Sequence, residues 1–442
     1  MDPRFPRYGI AVFFASVLLM FWAVTHLEIT DRGELTVITP RVHSGDEPHY
    51  LLVVNSILFD HTLELQNAYS LPKSIRYSGG FLLPDHHTIV VNRRTGEHAI
   101  WFDVRGDPRF ALGADTYEVS SHPVAFPALV AGIIAPFRPG VNEVPQYGSL
   151  VMVLICWLAT VFTYLLARRV GMGRGPALLA VGLLAFASPW LAYNRSFFSE
   201  PAIGLSAVIA LWAAESERPI IAALAAAAAA LFKPPFALVG AAVVIDKAEQ
   251  RRWREAIEIS VILAVAGIAL MVFNYWLART LVIAGNNAGP WPFGSKIALG
   301  FSGLGKTLLA PDHGLIVWAP WTVFAIFPIG LAFCSRTAQP RFLREMSFAT
   351  IALLVLFTLL PFDVGFCYGP RLWVPLLPWL AVAAVAVARA CGPIWRATFA
   401  VLVLISIAIS IPGALRYSEN FSRSPWYLWH LRENDYLAVL RQ

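Results

Sequence analysis

The chain has 442 residues, of which 57% are hydrophobic and 14% are charged, and its formal net charge is +6. Soluble domains contain about 25% charged residues, and a soluble chain this apolar would expose large apolar patches. The composition therefore excludes an ordinary soluble protein and predicts an all-α polytopic membrane protein. The basic residues stand in short loops between apolar segments and are not interleaved with aromatic residues, which also excludes a nucleic-acid partner.

Apolar segments predict where the chain crosses the bilayer, since a helix needs about 20 apolar residues to span the hydrocarbon core. Eleven segments are predicted spans: Gly9–Leu27, Gly148–Ala167, Pro176–Tyr193, Pro201–Ala214, Pro219–Leu231, Pro235–Ile245, Ile257–Leu277, Gly314–Cys334, Phe348–Pro361, Leu372–Ala388 and Ala397–Ile411. The first is too long for the apolar part of a signal peptide and has no small-residue cleavage site. We therefore expect it to remain as an uncleaved span.

The segments Pro219–Leu231 and Pro235–Ile245 are short and are separated by the stretch LFKPPF. A lysine followed by two prolines cannot lie at mid-bilayer on a regular helix. We interpret the two segments as a helical hairpin with Lys233 at its tip. The alternative is one long span kinked at Pro234, which would move every later loop to the other side of the membrane.

The distribution of positive charge favours the hairpin. Cytoplasmic loops are enriched in Lys and Arg, and with a cytoplasmic N-terminus the hairpin brings every short basic loop to the cytoplasmic side. The basic residues concerned are Arg4, Arg7, Arg168, Arg169, Arg174, Arg218, Lys247, Arg251, Arg252, Arg254, Arg336, Arg341, Arg344, Arg389 and Arg396. Without the hairpin, the basic loops in the second half of the chain would lie on the outer side, against this rule. The prediction is therefore a cytoplasmic N-terminus and a C-terminus on the outer face.

The predicted outer face receives a long segment from Glu28 to Tyr147, two later loops and the C-terminal tail. Within the long segment we expect two outer-face helices, at about residues 46–60 and 122–137. The second is apolar but broken by prolines, which is typical of a re-entrant or interfacial helix. Residues 82–118 are polar and rich in Gly and Asp, which predicts an ordered loop or a small β element. The chain as a whole is expected to form a single transmembrane domain.

The stretch SGDEPHYLLVVNSILFDHTLEL, from Ser44, follows the first span. Apolar residues at helical spacing predict a short amphipathic helix along the outer membrane surface: Tyr50, Val54, Ile57 and Leu58. Asp46 at the start of this helix could be an ordinary N-cap. A cap does not require the second carboxylate of Glu47, and a carboxylate just outside the bilayer can also accept a proton from a substrate hydroxyl. From the residues alone, both interpretations stay open.

This arrangement resembles the C-type (GT-C) membrane glycosyltransferases, which include protein O-mannosyltransferases and the aminoarabinose transferases that modify lipid A. In them an N-terminal span is followed by Asp-Glu on an outer helix. Three later stretches resemble motifs of the superfamily in the same order: KPPF from Lys233, APDHGLIVWAPW from Ala310 and CYGPRLWVPLLPWL from Cys367. The resemblance covers nearly the whole chain. The chain is shorter than most members and its long first loop matches no single subfamily, which leaves the donor sugar and the acceptor open.

The resemblance implies a glycosyltransferase at the outer face of the bacterial inner membrane. Its donor would be a sugar on a polyprenyl phosphate, and its acceptor a lipid, a glycan or a protein. Asp46 would be the general base of an inverting displacement, and Glu47 would orient the acceptor or help to hold a divalent metal ion. No other cofactor is expected. Arg371 and Lys233 would bind the donor phosphate as cations at the outer face; the alternative is that they only reach the lipid headgroups.

Further polar residues at the predicted outer face are candidates for the wall of the substrate cavity: His49, Tyr50, His122, Asp312, His313 and Tyr368. Asp312 and His313 could instead cap the span that follows them. Glu200 is interpreted as a helix cap. The stretch Asp85–His87 is interpreted as a solvated loop, and no metal ligands are predicted in it. The alternative function is a transporter or lipid flippase. Such proteins place charge near the bilayer midplane and often have inverted repeats, whereas this sequence shows little mid-span charge and no repeat.

Overall fold

The structure is a computed structural model that describes residues 7–29, 35–38, 46–70, 87–104, 106–111, 113–281, 305, 307–311, 313–326, 341–359 and 369–416. Most of this part is helical. The helices are α1 (Arg7–His26), α2 (Asp46–Asn55), α3 (Gln66–Ser70), α4 (Ala125–Ile134), α5 (Val144–Arg169), α6 (Arg174–Phe186), α7 (Trp190–Tyr193), α8 (Glu200–Glu215), α9 (Pro219–Phe232), α10 (Ala237–Glu249), α11 (Trp253–Ala278), α12 (Leu315–Trp318), α13 (Arg341–Leu359), α14 (Leu377–Ala390) and α15 (Pro393–Leu415). The strands are β1 (Leu27–Ile29), β2 (Leu35–Val37), β3 (Thr88–Asn92), β4 (His98–Ile100) and β5 (Thr116–Ser120).

Among the described residues, five helices are long and apolar enough to cross a membrane: Tyr8–His26, Val141–Arg169, Trp253–Ala278, Arg371–Ala390 and Pro393–Leu415. Shorter apolar helices accompany them: Ala125–Phe137, Arg174–Phe186, Pro219–Phe232 and Met346–Leu356. The prediction of a helical, polytopic membrane protein is confirmed, but the count of eleven spans is not. One reason is visible in the predicted span Pro176–Tyr193. The helix α6 ends at Phe186, before Pro189, and α7 begins at Trp190, so this apolar segment forms two helices.

The helices α9 and α10 meet at the predicted hairpin tip. α9 ends at Phe232, Lys233 has an extended backbone, and Pro234–Phe236 form a 3₁₀ turn before α10 begins. The two helices then lie side by side, because a Cβ atom at Gly240 would be 3.3 Å from that of Ala226. The chain therefore folds back at this tip, while the orientation of the tip toward the outer face stays a prediction.

The helix α8 lies at the centre of the bundle, where it packs against α5, α9 and the 3₁₀ segment Arg371–Leu376 that leads into α14. Gly204 of α8 permits this close approach. A Cβ atom there would lie 2.9 Å from the ring of Trp190 and 3.3 Å from the Cα of Pro375. The largest fully buried side chains of the core include five tryptophans: Trp190, Trp318, Trp321, Trp373 and Trp379. This packing holds Arg371 beside the first turn of α8.

The polar region 82–118 contains a small antiparallel sheet in which β3 lies between β4 and β5. Its apolar face packs against α2 and α11, through Val53 and Leu277. The sheet also brings together two segments of the candidate site, since His87 immediately precedes β3 and His122 follows β5. The backbone N–H of Ser121 donates to the carbonyl oxygen of His87 at 2.9 Å.

The helix that begins at Asp46 differs from its predicted setting. α2 continues as a π-helical turn, Ser56–Asp60, and all of its residues after Asp46 are buried. The prediction of an amphipathic helix along the membrane surface is therefore wrong, because α4, α5 and the sheet enclose the helix. By contrast, α4 is buried on one side and its other side, with the turn that follows, exposes apolar side chains, as a helix at a lipid surface would: Leu129, Ile133 and Phe137.

A buried carboxylate, that of Glu118, lies on β5. Glu118 is 1% exposed, and neither of its carboxylate oxygens has a hydrogen-bond partner in the part of the chain that the structure describes. Burial raises the pKa of Glu118 to about 7. The folded protein therefore binds this proton more tightly than the unfolded chain does.

Replacing Glu118 by Gln is expected to stabilise the protein, and more so as the pH rises. Because the pKa in the folded state exceeds the usual 4.5, the wild type is most stable below that pH and loses stability as the pH rises through about 7. Gln does not ionise, so the variant should gain about 1–3 kcal/mol in free energy of unfolding at pH 8 and much less at pH 5. Thermal unfolding in detergent at both pH values measures this. An equal gain at both would contradict a titrating Glu118.

Candidate functional site

Asp46 and Arg371, which were predicted to act together, are in direct contact although 325 residues separate them. The Arg371 guanidinium donates from Nη1 to Oδ2 of Asp46 at 2.5 Å, and both side chains are largely buried. The guanidinium carbon also lies 4.1 Å from the centre of the Phe198 ring, which is a cation–π contact. The start of α2 and the segment before α14 thus meet at one place.

A second carboxylate joins this pair to Lys233. Oε1 of Glu200, at the start of α8, accepts a hydrogen bond from Nε of Arg371 at 2.7 Å and another from Nζ of Lys233 at 3.0 Å. Glu200 is fully buried, and its hydrogen bonds go to these cations, while Ser199 occupies the N-cap position. The interpretation of Glu200 as a helix cap is therefore wrong. The signal in the sequence was a charged residue in the apolar stretch SFFSEP, because a carboxylate is seldom buried without a cation.

The protonation state of Asp46 is set by two opposing effects. Burial alone would raise the pKa of Asp46, but the positive charge of Arg371, with smaller contributions from two histidines, outweighs it and holds the pKa well below its usual range. Asp46 is therefore ionised at neutral pH, as a general base must be before it accepts a proton. An ionised carboxylate bound to a guanidinium is also a weak base, so a ligand that competes for Arg371 would make Asp46 more basic.

Histidines lie on the other side of Asp46. Nδ1 of His87 is 2.9 Å from Nε2 of His122 and 3.9 Å from Oδ1 of Asp46. The ring of His49 stacks on that of His87 with 3.7 Å between ring centres, and its Nδ1 is 2.5 Å from the hydroxyl oxygen of Tyr69. His87 is 4% exposed, so the prediction of a solvated loop is wrong at this residue, and the two residues before it lie outside the described ones. The pairing of β3 with β5 is what encloses His87.

Asp46, His87 and His122 could together hold a divalent metal ion. One carboxylate oxygen and two imidazole nitrogens lie within 4.8 Å of one another. Ligands bound to zinc at about 2.0–2.2 Å are about 3–3.5 Å apart, and the observed separations are 2.9 Å between the two nitrogens and 3.9 Å between His87 and Asp46. A carboxylate with two imidazoles suits first-row ions such as Zn²⁺. No local spacing in the sequence indicates this set, because its members come from three separate elements.

Purified protein is expected to bind about one equivalent of Zn²⁺ at this cluster. His87→Gln and His122→Gln should each weaken the affinity by about tenfold or more, because each removes one of three protein ligands. His98→Gln, on β4 and outside the cluster, is the matched control and should retain the affinity of the wild type. Isothermal titration with protein purified through a tag without histidines measures this. Equal affinities in all four proteins would exclude a metal site here.

The other predicted residues are placed as follows. Glu47 and Tyr50 are buried in α2, and the Tyr50 ring is centred 5.4 Å from that of a site histidine. Burial raises the pKa of Tyr50 above its usual range. His313 is half-buried shortly before α12, whereas Asp312 and Tyr368 lie outside the described residues. The functional role of each stays a prediction.

Comparison with known proteins shows a likeness in fold. No protein-family model matches the chain, and no curated protein matches it in sequence. Among solved structures, ArnT from Cupriavidus metallidurans in the apo state is similar with a TM-score of 0.55 and 16% sequence identity, over 92% of this chain and 65% of that chain. ArnT bound to undecaprenyl phosphate gives a TM-score of 0.54 and 15% identity with the same coverage. The oligosaccharyltransferase of Archaeoglobus fulgidus in complex with Zn and sulfate gives 0.52 and 12%, over 93% of this chain and 53% of that chain.

The chain therefore spans less than two thirds of the ArnT chain and about half of the oligosaccharyltransferase chain. At these identities the likeness concerns the fold and not the substrates. Both relatives are glycosyltransferases of the GT-C superfamily. The likeness extends over 92% of this chain. The chain has the fold of the GT-C membrane glycosyltransferases.

Proposed function

We propose that the chain is an integral membrane glycosyltransferase that moves a sugar from a polyprenyl-phosphate donor to an acceptor at the outer face of the bacterial inner membrane. The observation that carries this proposal is the contact of Asp46 with Arg371, extended through Glu200 to Lys233. A candidate base thereby contacts one cation of the kind that binds phosphate, and Glu200 connects that cation to a second. ArnT, which is similar in fold, has been solved with undecaprenyl phosphate bound.

The reaction needs a base for the acceptor and positive charge for the leaving group. The acceptor hydroxyl attacks the anomeric carbon of the sugar and gives its proton to Asp46. The bond from that carbon to the phosphate oxygen breaks, and its electron pair stays on the lipid phosphate. Attack from the side opposite the phosphate inverts the configuration. Arg371 and Lys233 stabilise the negative charge that develops on the leaving group.

Binding of the donor also activates the base. Arg371 holds Asp46 in an ion pair. A phosphate can accept two parallel hydrogen bonds from a guanidinium, so it competes with Asp46 for Arg371 and leaves the carboxylate more basic. Glu47, the next residue of α2, orients the acceptor. A divalent ion held by Asp46, His87 and His122 would supply Lewis-acid assistance. Glu47, which the sequence suggested as a metal ligand, is not among the residues that converge there.

The membrane setting of this proposal comes from α4 and the loop charges. The basic loops predict a cytoplasmic N-terminus and an outer C-terminus, so that Asp46, soon after the first span, faces outside. The helix α4 packs against α2, and it exposes apolar side chains of Leu129 and Ile133. This apolar side offers a polyprenyl chain a surface at the lipid bilayer.

Transfer by purified protein in nanodiscs tests the proposal. Polyprenyl phosphates with different sugars are offered singly together with lipid, glycan and peptide acceptors, and mass spectrometry follows the released polyprenyl phosphate and the glycosylated product. Release should require both an acceptor and an intact Arg371. Movement of the uncleaved donor between the leaflets of proteoliposomes, without release, would show a lipid flippase instead.

A further inference from the structure

We propose that Glu200 is a positioning residue that sets both the placement and the phosphate affinity of Arg371 and Lys233. The inference rests on the proposed function and deepens it. Glu200 holds the two cations at one point and neutralises part of their charge. The lipid phosphate therefore binds reversibly and leaves after transfer.

A single oxygen of Glu200 brings the two cations together. Its Oε1 accepts from Nε of Arg371 at 2.7 Å and from Nζ of Lys233 at 3.0 Å, so both nitrogens contact the same atom. Its Oε2 is buried and has no hydrogen-bond partner within the described parts of the chain. The carboxylate thus binds both cations through one oxygen, although this leaves its other oxygen without a hydrogen bond from the described residues. Two cations this close together can contact one phosphate group.

The surroundings of Glu200 fix it in place. The side chain is 0% exposed. One turn later on α8, Gly204 has no side chain, so Trp190 and Pro375 pack directly against the helix. Lys233 keeps 22% exposure of its side chain, and an ammonium has three donors. A ligand can therefore reach Lys233, while Glu200 cannot move out into solvent to make room for it.

The charge balance of the site explains how Glu200 can affect the binding of phosphate. Asp46 and Glu200 match the charges of Arg371 and Lys233, so the four side chains sum to zero. Without Glu200 a net positive charge would remain in a buried place, where charges interact strongly. The product of the reaction is a phosphate monoester, which carries nearly two negative charges, and it would then be held tightly. Glu200 thus weakens product binding enough for release.

Binding of undecaprenyl phosphate to the purified protein in nanodiscs tests this role. Glu200→Gln keeps the size of the side chain but removes its charge, and it is expected to lower the Kd about tenfold. Glu200→Asp keeps the charge and should stay within about threefold of the wild type. Glu118→Gln is the matched control, because it removes a buried carboxylate that lacks a cation partner in the described structure, and it should leave the Kd unchanged.

A purely structural role would not produce tighter binding. An unchanged or raised Kd in folded Glu200→Gln therefore overturns the inference, and so does a shift of the same size in Glu118→Gln. The inference is supported if the Kd falls in Glu200→Gln but stays near the wild-type value in Glu200→Asp and in Glu118→Gln.

A second comparison covers the case in which Glu200→Gln does not fold. Lys233→Met removes one cation beside an intact Glu200 and should raise the Kd about tenfold. The double variant with Glu200→Gln removes one charge of each sign and should return the Kd to near that of the wild type. Equal Kd values for the single and double variants overturn the inference. A wild type that does not bind undecaprenyl phosphate at all overturns the proposed function instead.

Discussion

Replacing Asp46 by Asn is expected to lower the kcat of glycosyl transfer by about 10²–10⁴-fold, which is the usual contribution of general-base catalysis. Asn has the same size, but its amide does not accept a proton from the acceptor. Asn also caps helices about as well as Asp, so α2 should persist. The Kd for undecaprenyl phosphate should not rise, because the variant removes the carboxylate that competes for Arg371. A lower kcat at an unchanged or lower Kd identifies a base.

The controls for this variant separate chemistry from folding. Thermal unfolding should show a stable protein, since Glu200 remains as a partner for Arg371. Glu47→Gln, one residue along the helix, should act mainly on the KM of the acceptor. If Asp46→Asn keeps full activity, Asp46 is only a helix cap and an ion-pair partner, and the base lies elsewhere, with Asp312 the next candidate. If instead the Kd rises strongly, Asp46 acts through Arg371 and not as a base.

The sequence could predict that Asp46, Arg371 and Lys233 lie close together, because this follows from the membrane topology of the chain. The lengths of apolar segments and the positions of basic loops are sufficient to send three distant stretches to one face. Neither rule specifies which atoms meet there. The actual connection runs through Glu200, whose position at a helix start already had a sufficient local explanation as a cap.

His87 was misread for a different reason. Its neighbours in the sequence are polar, and polar stretches without periodicity are usually solvated. Its burial depends on the pairing of β3 with β5, and the register of such short strands is weakly marked in a single sequence. The possible metal ligands were missed together with it, since their convergence requires the same sheet.

The helix α2 shows what periodicity alone can decide. An apolar stripe predicts that one side of a helix is buried, but it does not show what covers the opposite side. Here the sheet and α4 cover it, and both come later in the chain. The predicted count of eleven spans is not confirmed, for a related reason. A proline between α6 and α7 divides one apolar segment into two helices, so apolar length no longer equals one straight span.

Arg371→Lys is expected to raise the Kd for undecaprenyl phosphate by about 10–100-fold and to lower turnover at limiting donor by a similar factor. The positive charge remains, so the buried carboxylates keep a cation nearby. An ammonium lacks the planar fork through which Arg371 reaches Asp46 with Nη1 and Glu200 with Nε at the same time. The phosphate loses its bidentate partner. Arg371→Ala is less informative, because removing one partner of a buried ion pair costs about 3–5 kcal/mol and unfolding would mask the effect.

Arg195→Lys is the matched control for this variant. Arg195 is also buried, but its Nη1 donates to the backbone carbonyl oxygens of Leu27 at 3.2 Å and Ala414 at 2.9 Å. Its replacement should lower the melting temperature while the Kd for undecaprenyl phosphate stays unchanged. Equal shifts of the Kd in the two variants would mean that Arg371 acts through the packing of the bundle and that the phosphate binds elsewhere. A shift confined to Arg371→Lys requires the guanidinium of Arg371 itself, because both variants preserve the charge of the protein and both replace a buried guanidinium.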